Sequence, residues 1–301
     1  MIYKLLGRTK EKIPAIGMGS WKLGMDPARE MQAIKNGIAN GMNLIDTAEM
    51  YHSENIVGEA VKGEEVFIAT KVSPNHFHYG DVINSCNQSL RNLGVKTIDL
   101  YQLHWPNPNI PITETMRAME RLMKDGKIRH IGVSNFSVGE LKAAQDAMKS
   151  YEIVSNQLEY SVFARRIEEG ILPYCMHSGI TVIAYSPLAT GKVMQKGTKA
   201  YDILDSIAKK HKKTVPQVAL NWVVSRPHVI AIPKAGNPQH TAENAVSCKF
   251  DLDKEDLRII DTIESDYMPI SSTLNAFTKR TSNVWAGLMD KRESFRSKFK
   301  I

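Results

Sequence analysis

Cysteine is scarce. Cys86, Cys175 and Cys248 are an odd number at wide spacings. They exclude a disulfide framework and a cysteine zinc site, and read as reduced thiols of a cytoplasmic protein. No run of 18 apolar residues exists, so no spanning helix and no membrane partner are expected. The opening MIYKLLGRTKEK has no apolar core of signal-peptide length before its charges. No stretch rich in Gly, Pro or Ser divides the chain, so residues 1–301 are expected to form a single domain. With 43% hydrophobic and 24% charged residues, the composition is that of a globular protein rather than a disordered or collagenous one.

Charge of one sign is not concentrated either. The net charge of +7 is spread along the chain, and its denser clusters are 209–213 and the tail from 291 to 300. The first lies among helix-forming residues and reads as a solvated helix end. No zinc-finger spacing, basic zipper or RNA-platform motif accompanies it, so no nucleic-acid partner is expected.

What the chain does have is alternation. Short β-rich apolar runs occur at 14–19, 43–47, 66–71, 98–104, 129–135, 152–157, 181–186 and 228–234. Between them, apolar residues recur at three- and four-residue steps, the helical period, at 30–40, 53–62, 81–94, 113–126, 138–150, 165–179 and 215–226. Near-continuous apolar strands suit a parallel sheet covered on both faces. The strand ends fall about 31 residues apart, close to the size of a βαβ unit. The expected fold is therefore α/β: an eight-unit (β/α)₈ TIM barrel, with an open doubly wound sheet as the alternative.

Each apolar run ends in a small or functional residue: Gly19, Asp46, Lys71, His104, Asn135, Gln157, Tyr185 or Ser186, and Lys234. In a barrel these fall together at the C-terminal rim, where such enzymes carry their active sites. Asp46, Tyr51, Lys71 and His104 come from three neighbouring strands and form a readable set. A phenol near pKa 10 is a poor acid at neutrality. A neighbouring ammonium favours the phenolate, so Lys71 is expected to lower the value for Tyr51, with Asp46 holding Lys71. His104 is placed to orient a substrate oxygen. A barrel glycosidase would need two carboxylates facing each other across the rim, and only Asp46 and Glu49 lie near enough in sequence.

DTAEMY (46–51), the Lys closing ATK, LHWP, GVSNF, SNQ, AYSPLA and IPKA…ENA resemble, in order, the motifs of the aldo-keto reductase family. The resemblance runs from about residue 12 to residue 245. It implies a catalytic tetrad of Asp46, Tyr51, Lys71 and His104, with Tyr51 giving the proton while nicotinamide C4 gives hydride to a carbonyl. It implies that Ser134, Asn135 and Gln157 hold the carboxamide, that Tyr185 stacks on the nicotinamide, and that Ser186 and Leu188 meet the pyrophosphate. Gly19, Ser20 and Trp21 would line the mouth near the ribose, with Asp46 beside the nicotinamide. Trp21 and Trp105 would join Tyr51 and His104 around the substrate, although isolated tryptophans are more often core.

IPKAGNPQHTAEN (232–244) departs from the pattern. Many NADPH-preferring relatives have Ser after the Lys and Arg six residues after it, where this chain has Ala235 and His240. Lys234, Asn237, Glu243 and Asn244 remain, ahead of and within a helix whose start favours phosphate. NADPH/NADP⁺ is expected as the preferred cofactor. The preference is weaker than with Arg, because an imidazole is only partly charged near neutrality, which leaves NADH open. The partner is expected to be a small carbonyl or alcohol, and the protein a monomer or small homo-oligomer. The alternative is a redox-slow, nucleotide-binding interaction subunit of the same fold. His76 and His78 have metal-like spacing but no completing ligand, so no metal is expected; a loop at the substrate mouth or plain exposure is the reading. His52 either tunes the pocket or faces solvent. Residues 267–301, with Phe277 and Trp285, match no motif and could cap the pocket, pack on a helix or mediate dimerisation.

Overall fold

The strands are β1 (Tyr3–Leu5), β2 (Lys12–Pro14), β3 (Met18–Gly19), β4 (Leu44–Asp46), β5 (Phe67–Val72), β6 (Ile98–Leu103), β7 (Ile128–Ser134), β8 (Ile153–Glu159), β9 (Thr181–Tyr185) and β10 (Val229–Ala231), of which β4 to β10 are apolar runs carrying β-branched residues. The helices are α1 (Pro27–Ala39), α2 (Glu54–Ala60), α3 (Tyr79–Leu93), α4 (Ile112–Lys124), α5 (Val138–Asp146), α6 (Ile171–His177), α7 (Lys199–His211), α8 (Val215–Ser225), α9 (Pro238–Ala245) and α10 (Lys254–Ile260). The computed structural model describes residues 1–234 and 236–265. Ala235 and the segment 267–301, with Phe277 and Trp285, lie outside the described residues. The described residues fall within one compact unit.

β3 to β10 lie side by side in chain order, each parallel to the next. Parallel bridges from Ile16 to Ala231 and from Gly19 to Lys234 join the two edge strands, so the barrel closes. The expected (β/α)₈ barrel is thus the observed fold, and the open sheet is excluded. Gly19 stands at this seam because a Cβ there would come 3.0 Å from the Ile232 carbonyl oxygen.

The interior has two layers. The lower is apolar: Leu44, Phe67, Ala69, Leu100, Val154, Ile183 and Ile230 meet Leu6 and Ile13 of the antiparallel β1–β2 hairpin. That hairpin was not anticipated, because its strands are three residues each and rich in charge. Leu6 and Ile13 are fully buried on its inner side, while Lys4 Nζ donates to the carbonyls of Val224, Arg226 and Val229 at 2.5–3.0 Å. The upper layer is polar and holds Asp46, Lys71, Gln102 and Gln157, all buried.

One expected helix is corrected. Residues 165–179 do not form a continuous helix but a 3₁₀ turn, Arg166–Glu169, followed by α6. Gly170 breaks the run with φ −156° and ψ −69°. The basic cluster at 209–213 ends α7 and is largely paired within the fold. Lys209 meets Asp205, Lys210 meets Asp253 and Asp256, and His211 meets Asp256. Among the described residues no helix is long and apolar enough to cross a membrane.

Candidate active site

Lys71 points into the barrel from β5 and is fully buried. A buried ammonium is tolerated only with close partners. Its Nζ lies 2.6 Å from Asp46 Oδ1 and 2.7 Å from the Thr47 carbonyl oxygen. It also sits 4.8 Å from the centroid of the Tyr51 ring. Tyr51 ends the 3₁₀ turn Glu49–Tyr51 that follows β4. Its hydroxyl lies 3.4 Å from His104 Nε2, with the two rings edge to face at 5.3 Å. The fold therefore brings the four expected residues Asp46, Tyr51, Lys71 and His104 together.

Sequence reasoning missed Gln102. Its Nε2 donates to Asp46 Oδ2 at 3.3 Å, beside the Gln157 Nε2 donor to the same oxygen at 2.8 Å. Gln102 lies on β6 opposite Lys71 of β5, so both side chains share the inward face. Gln157 reaches Asp46 because the β7–β8 register shifts by one residue at Val154. Such a bulge re-aims the side chains that follow it.

Burial and neighbouring charge together set the protonation states. It pulls Lys71 down, but Asp46 and Tyr51 outweigh it and leave the ammonium above its ordinary range. Burial pushes the Tyr51 phenol above its ordinary value, with Lys71 opposing and Asp46 adding to the rise. The expected net lowering by Lys71 is thereby corrected: its effect has the expected sign but is outweighed by desolvation. Burial, followed by the charge of Lys71, holds His104 well below the usual imidazole range, so it is neutral near pH 7. Its Nδ1 is buried without a partner.

The residues expected at the cofactor, Ala235 apart, have these places in the fold. Tyr185 donates its hydroxyl proton to Asn135 Oδ1 at 3.0 Å. Asn135, at φ 63° just after β7, donates through Nδ2 to the His104 carbonyl and to Ser134 Oγ. Ser134 Oγ donates to the Gln157 carbonyl at 3.0 Å. After β9, Ser186, Ala189, Thr190 and Gly191 all have positive φ, and Leu188 stands within this tightly wound loop. Ser20 is buried, its hydroxyl turned to Ser53 rather than to the mouth. Trp21 and Trp105 are 44% and 40% exposed, so neither is core. Lys234 is exposed and donates to the Lys22 carbonyl at 3.2 Å. Asn237 caps α9 by accepting from Gln239 N. On α9, His240 is exposed, Glu243 accepts from Gln239 Nε2 at 3.0 Å, and Asn244 is buried.

Residues 15–265 match the model of the aldo/keto reductase family. The chain is a member of the aldo/keto reductase family. It is 38% identical over 257 residues to methylglyoxal reductase YeaE of Escherichia coli, covering 83% of this chain and 90% of that one. It is 36% identical over 262 residues to glyoxal reductase of Bacillus subtilis, covering 85% and 90%. Among solved structures it resembles an aldo/keto reductase of Klebsiella pneumoniae in complex with NADP and acetate, with a TM-score of 0.80 and 36% identity. That match covers 84% of this chain and 92% of the other.

Membership makes the chain an oxidoreductase, and His52, His76 and His78 have defined places in this aldo/keto reductase. His76 Nδ1 lies 2.6 Å from Glu49 Oε1, and His78 Nδ1 lies 3.3 Å from Glu114 Oε1. They diverge to different acids, and among the described residues no group of three or more His, Cys, Asp or Glu could hold a metal. His52 caps the Tyr51 turn at φ 55°, its N–H bonded to the Glu49 carbonyl. The backbone bond of His52 was not visible in the sequence.

Proposed function

We propose that this aldo/keto reductase reduces aldehydes and ketones to alcohols with NADPH, with Tyr51 as proton donor. The observation that carries the reading is the fully buried Lys71, held by Asp46 beneath the Tyr51 ring while the Tyr51 hydroxyl meets His104. A structural ion pair needs no phenol and no neutral imidazole beside it. The donor set also fits a nicotinamide dinucleotide. Ser134, Asn135 and Gln157 offer hydroxyl and amide groups side by side, and Tyr185 offers a half-buried ring. Lys234, Asn237 and the start of α9 offer a cation and helix N–H groups to phosphate. Ser186, Leu188 and their positive-φ neighbours form a backbone concavity suited to a pyrophosphate. Trp21 beside Gly19 and Ser20, and Glu243 and Asn244 on α9, complete the proposed cofactor contacts. The NADP bound in the Klebsiella relative supports the same assignment.

Bound NADPH supplies the hydride. The chain supplies the rest. Neutral His104 can present an N–H at Nε2 to orient the carbonyl oxygen. Tyr51, raised by burial, remains a protonated donor at neutral pH. As the proton leaves Tyr51, the Lys71 ammonium stabilises the phenolate, and Asp46 keeps Lys71 in place through its short ion pair. Trp21 and Trp105, half exposed at the rim, are placed to wall the substrate against water. The names of the Escherichia coli and Bacillus relatives favour small α-dicarbonyls as the first substrates. Initial rates with methylglyoxal, glyoxal, simple aldehydes and ketoses, each with NADPH and NADH, test this. NADPH-dependent turnover with a preference for α-dicarbonyls supports the reading, and no turnover with any carbonyl removes it.

A further inference from the structure

We propose that Glu49 is a positioning residue for Tyr51, acting by pinning the turn that carries Tyr51 onto the loop that follows Lys71. The proposal rests on the carbonyl-reductase reading above.

Glu49 opens the 3₁₀ turn that Tyr51 ends. Its Oε2 accepts from Ser73 N at 2.8 Å. Its Oε1 lies 2.6 Å from His76 Nδ1 and accepts from Ser85 Oγ at 3.2 Å. Ser73 stands two residues after Lys71, and His76 closes the 3₁₀ turn Pro74–His76. One carboxylate therefore ties the Tyr51 segment to the Lys71 segment at two points and to α3 at a third. On the far side, Asn107 Nδ2 donates to the Pro74 carbonyl at 2.9 Å. Asn107 lies three residues after His104. The short loop 73–76 is thus held between the segment bearing Tyr51 and the segment bearing His104.

This bracing bears on rate more than on stability. The His76 side chain is 46% exposed, and polar contacts at the water's edge contribute little to folding. The Tyr51–His104 separation of 3.4 Å is already long for a hydrogen bond, so the pair depends on its supporting loops. A displacement of about 1 Å in a reacting group can cost about 10²-fold in rate.

The test compares wild type, Glu49→Ala and Glu49→Gln for NADPH-dependent reduction of methylglyoxal, with NADPH dissociation constants read by fluorescence. Glu49→Ala should lower kcat about tenfold or more, with the NADPH constant unchanged within about twofold. Glu49→Gln keeps an oxygen for Ser73 N and should recover most of kcat. Retention of more than half of kcat by Glu49→Ala overturns the proposal. So does an equal loss in kcat and NADPH affinity, or a failure of Gln to rescue. Should Glu49→Ala not fold, His76→Ala carries the same test, with a smaller fall in kcat expected and an unchanged kcat refuting it. A wild type without carbonyl turnover overturns the reductase reading itself, whereas an active wild type with an unimpaired Ala variant overturns the positioning role alone.

Discussion

Replacing Lys71 with Met should separate the stability of this site from its chemistry. The ammonium is fully buried and lies 2.6 Å from Asp46. Removing it leaves the Asp46 carboxylate buried, with the donors of Gln102 and Gln157 as its remaining side-chain partners among the described residues. Breaking a buried pair in this way costs about 3–5 kcal/mol of stability. The chemical loss is separate. With Lys71 Nζ 4.8 Å from the Tyr51 ring centroid and an effective dielectric constant of about 20, the phenolate loses about 3 kcal/mol of stabilisation. That corresponds to about 10²-fold in rate if the charge is fully developed in the transition state. The sign on pH is fixed by the same charge. Lys71 lowers the Tyr51 value against the dominant effect of burial, so its removal moves the basic limb of carbonyl reduction to higher pH. The double variant Asp46→Asn, Lys71→Met removes both charges and should regain much of the melting temperature without regaining kcat. The assay is thermal unfolding beside kcat/KM from pH 6 upward. A double variant that recovers stability and activity together would show Lys71 to be a strut, and the catalytic argument would fail.

Two further outcomes follow from the same geometry. Because burial and Lys71 hold His104 well below the usual imidazole range, kcat/KM for reduction should show no break where an ordinary histidine titrates, near pH 6.5; a break there that disappears in His104→Gln would contradict the neutral assignment. His240→Arg on exposed α9 should tighten NADPH about tenfold, the scale of one charge-assisted hydrogen bond, and leave NADH unchanged; equal effects on both cofactors, or none, would take position 240 away from the phosphate.

The barrel was legible because parallel strands buried on both faces must be apolar along their length, and each of these runs closes on a residue that the rim can use. Asp46, Lys71 and His104 stood out because strand termination accounts for one or two polar residues at such ends, not for a run of them at the same topological position. Gln102 carried the same signal, two residues before His104, but inside an apolar run an uncharged amide reads as a strand residue. Gln157 was assigned to a cofactor amide. Its bond to Asp46 depends on the bulge at Val154, which local pattern does not reveal. The β1–β2 hairpin was hidden because three-residue strands carry too little period, and only tertiary packing of Leu6 and Ile13 shows its purpose. The helix expected over 165–179 follows the apolar period, yet Gly170 interrupts it. The net position of the Tyr51 phenol could not be read either, since desolvation depends on atoms brought in from other strands.

The most direct test is single-turnover oxidation of NADPH bound to the protein, started by methylglyoxal and followed by loss of nicotinamide absorbance, in wild type and Tyr51→Phe. Wild type should oxidise its bound NADPH in one fast phase, and Tyr51→Phe should bind NADPH as tightly but react about 10²–10⁴-fold more slowly. Tight NADPH binding with no oxidation in wild type by methylglyoxal or any other carbonyl of the panel would identify a nucleotide-binding interaction subunit, and an equal rate in Tyr51→Phe would remove Tyr51 as the proton donor.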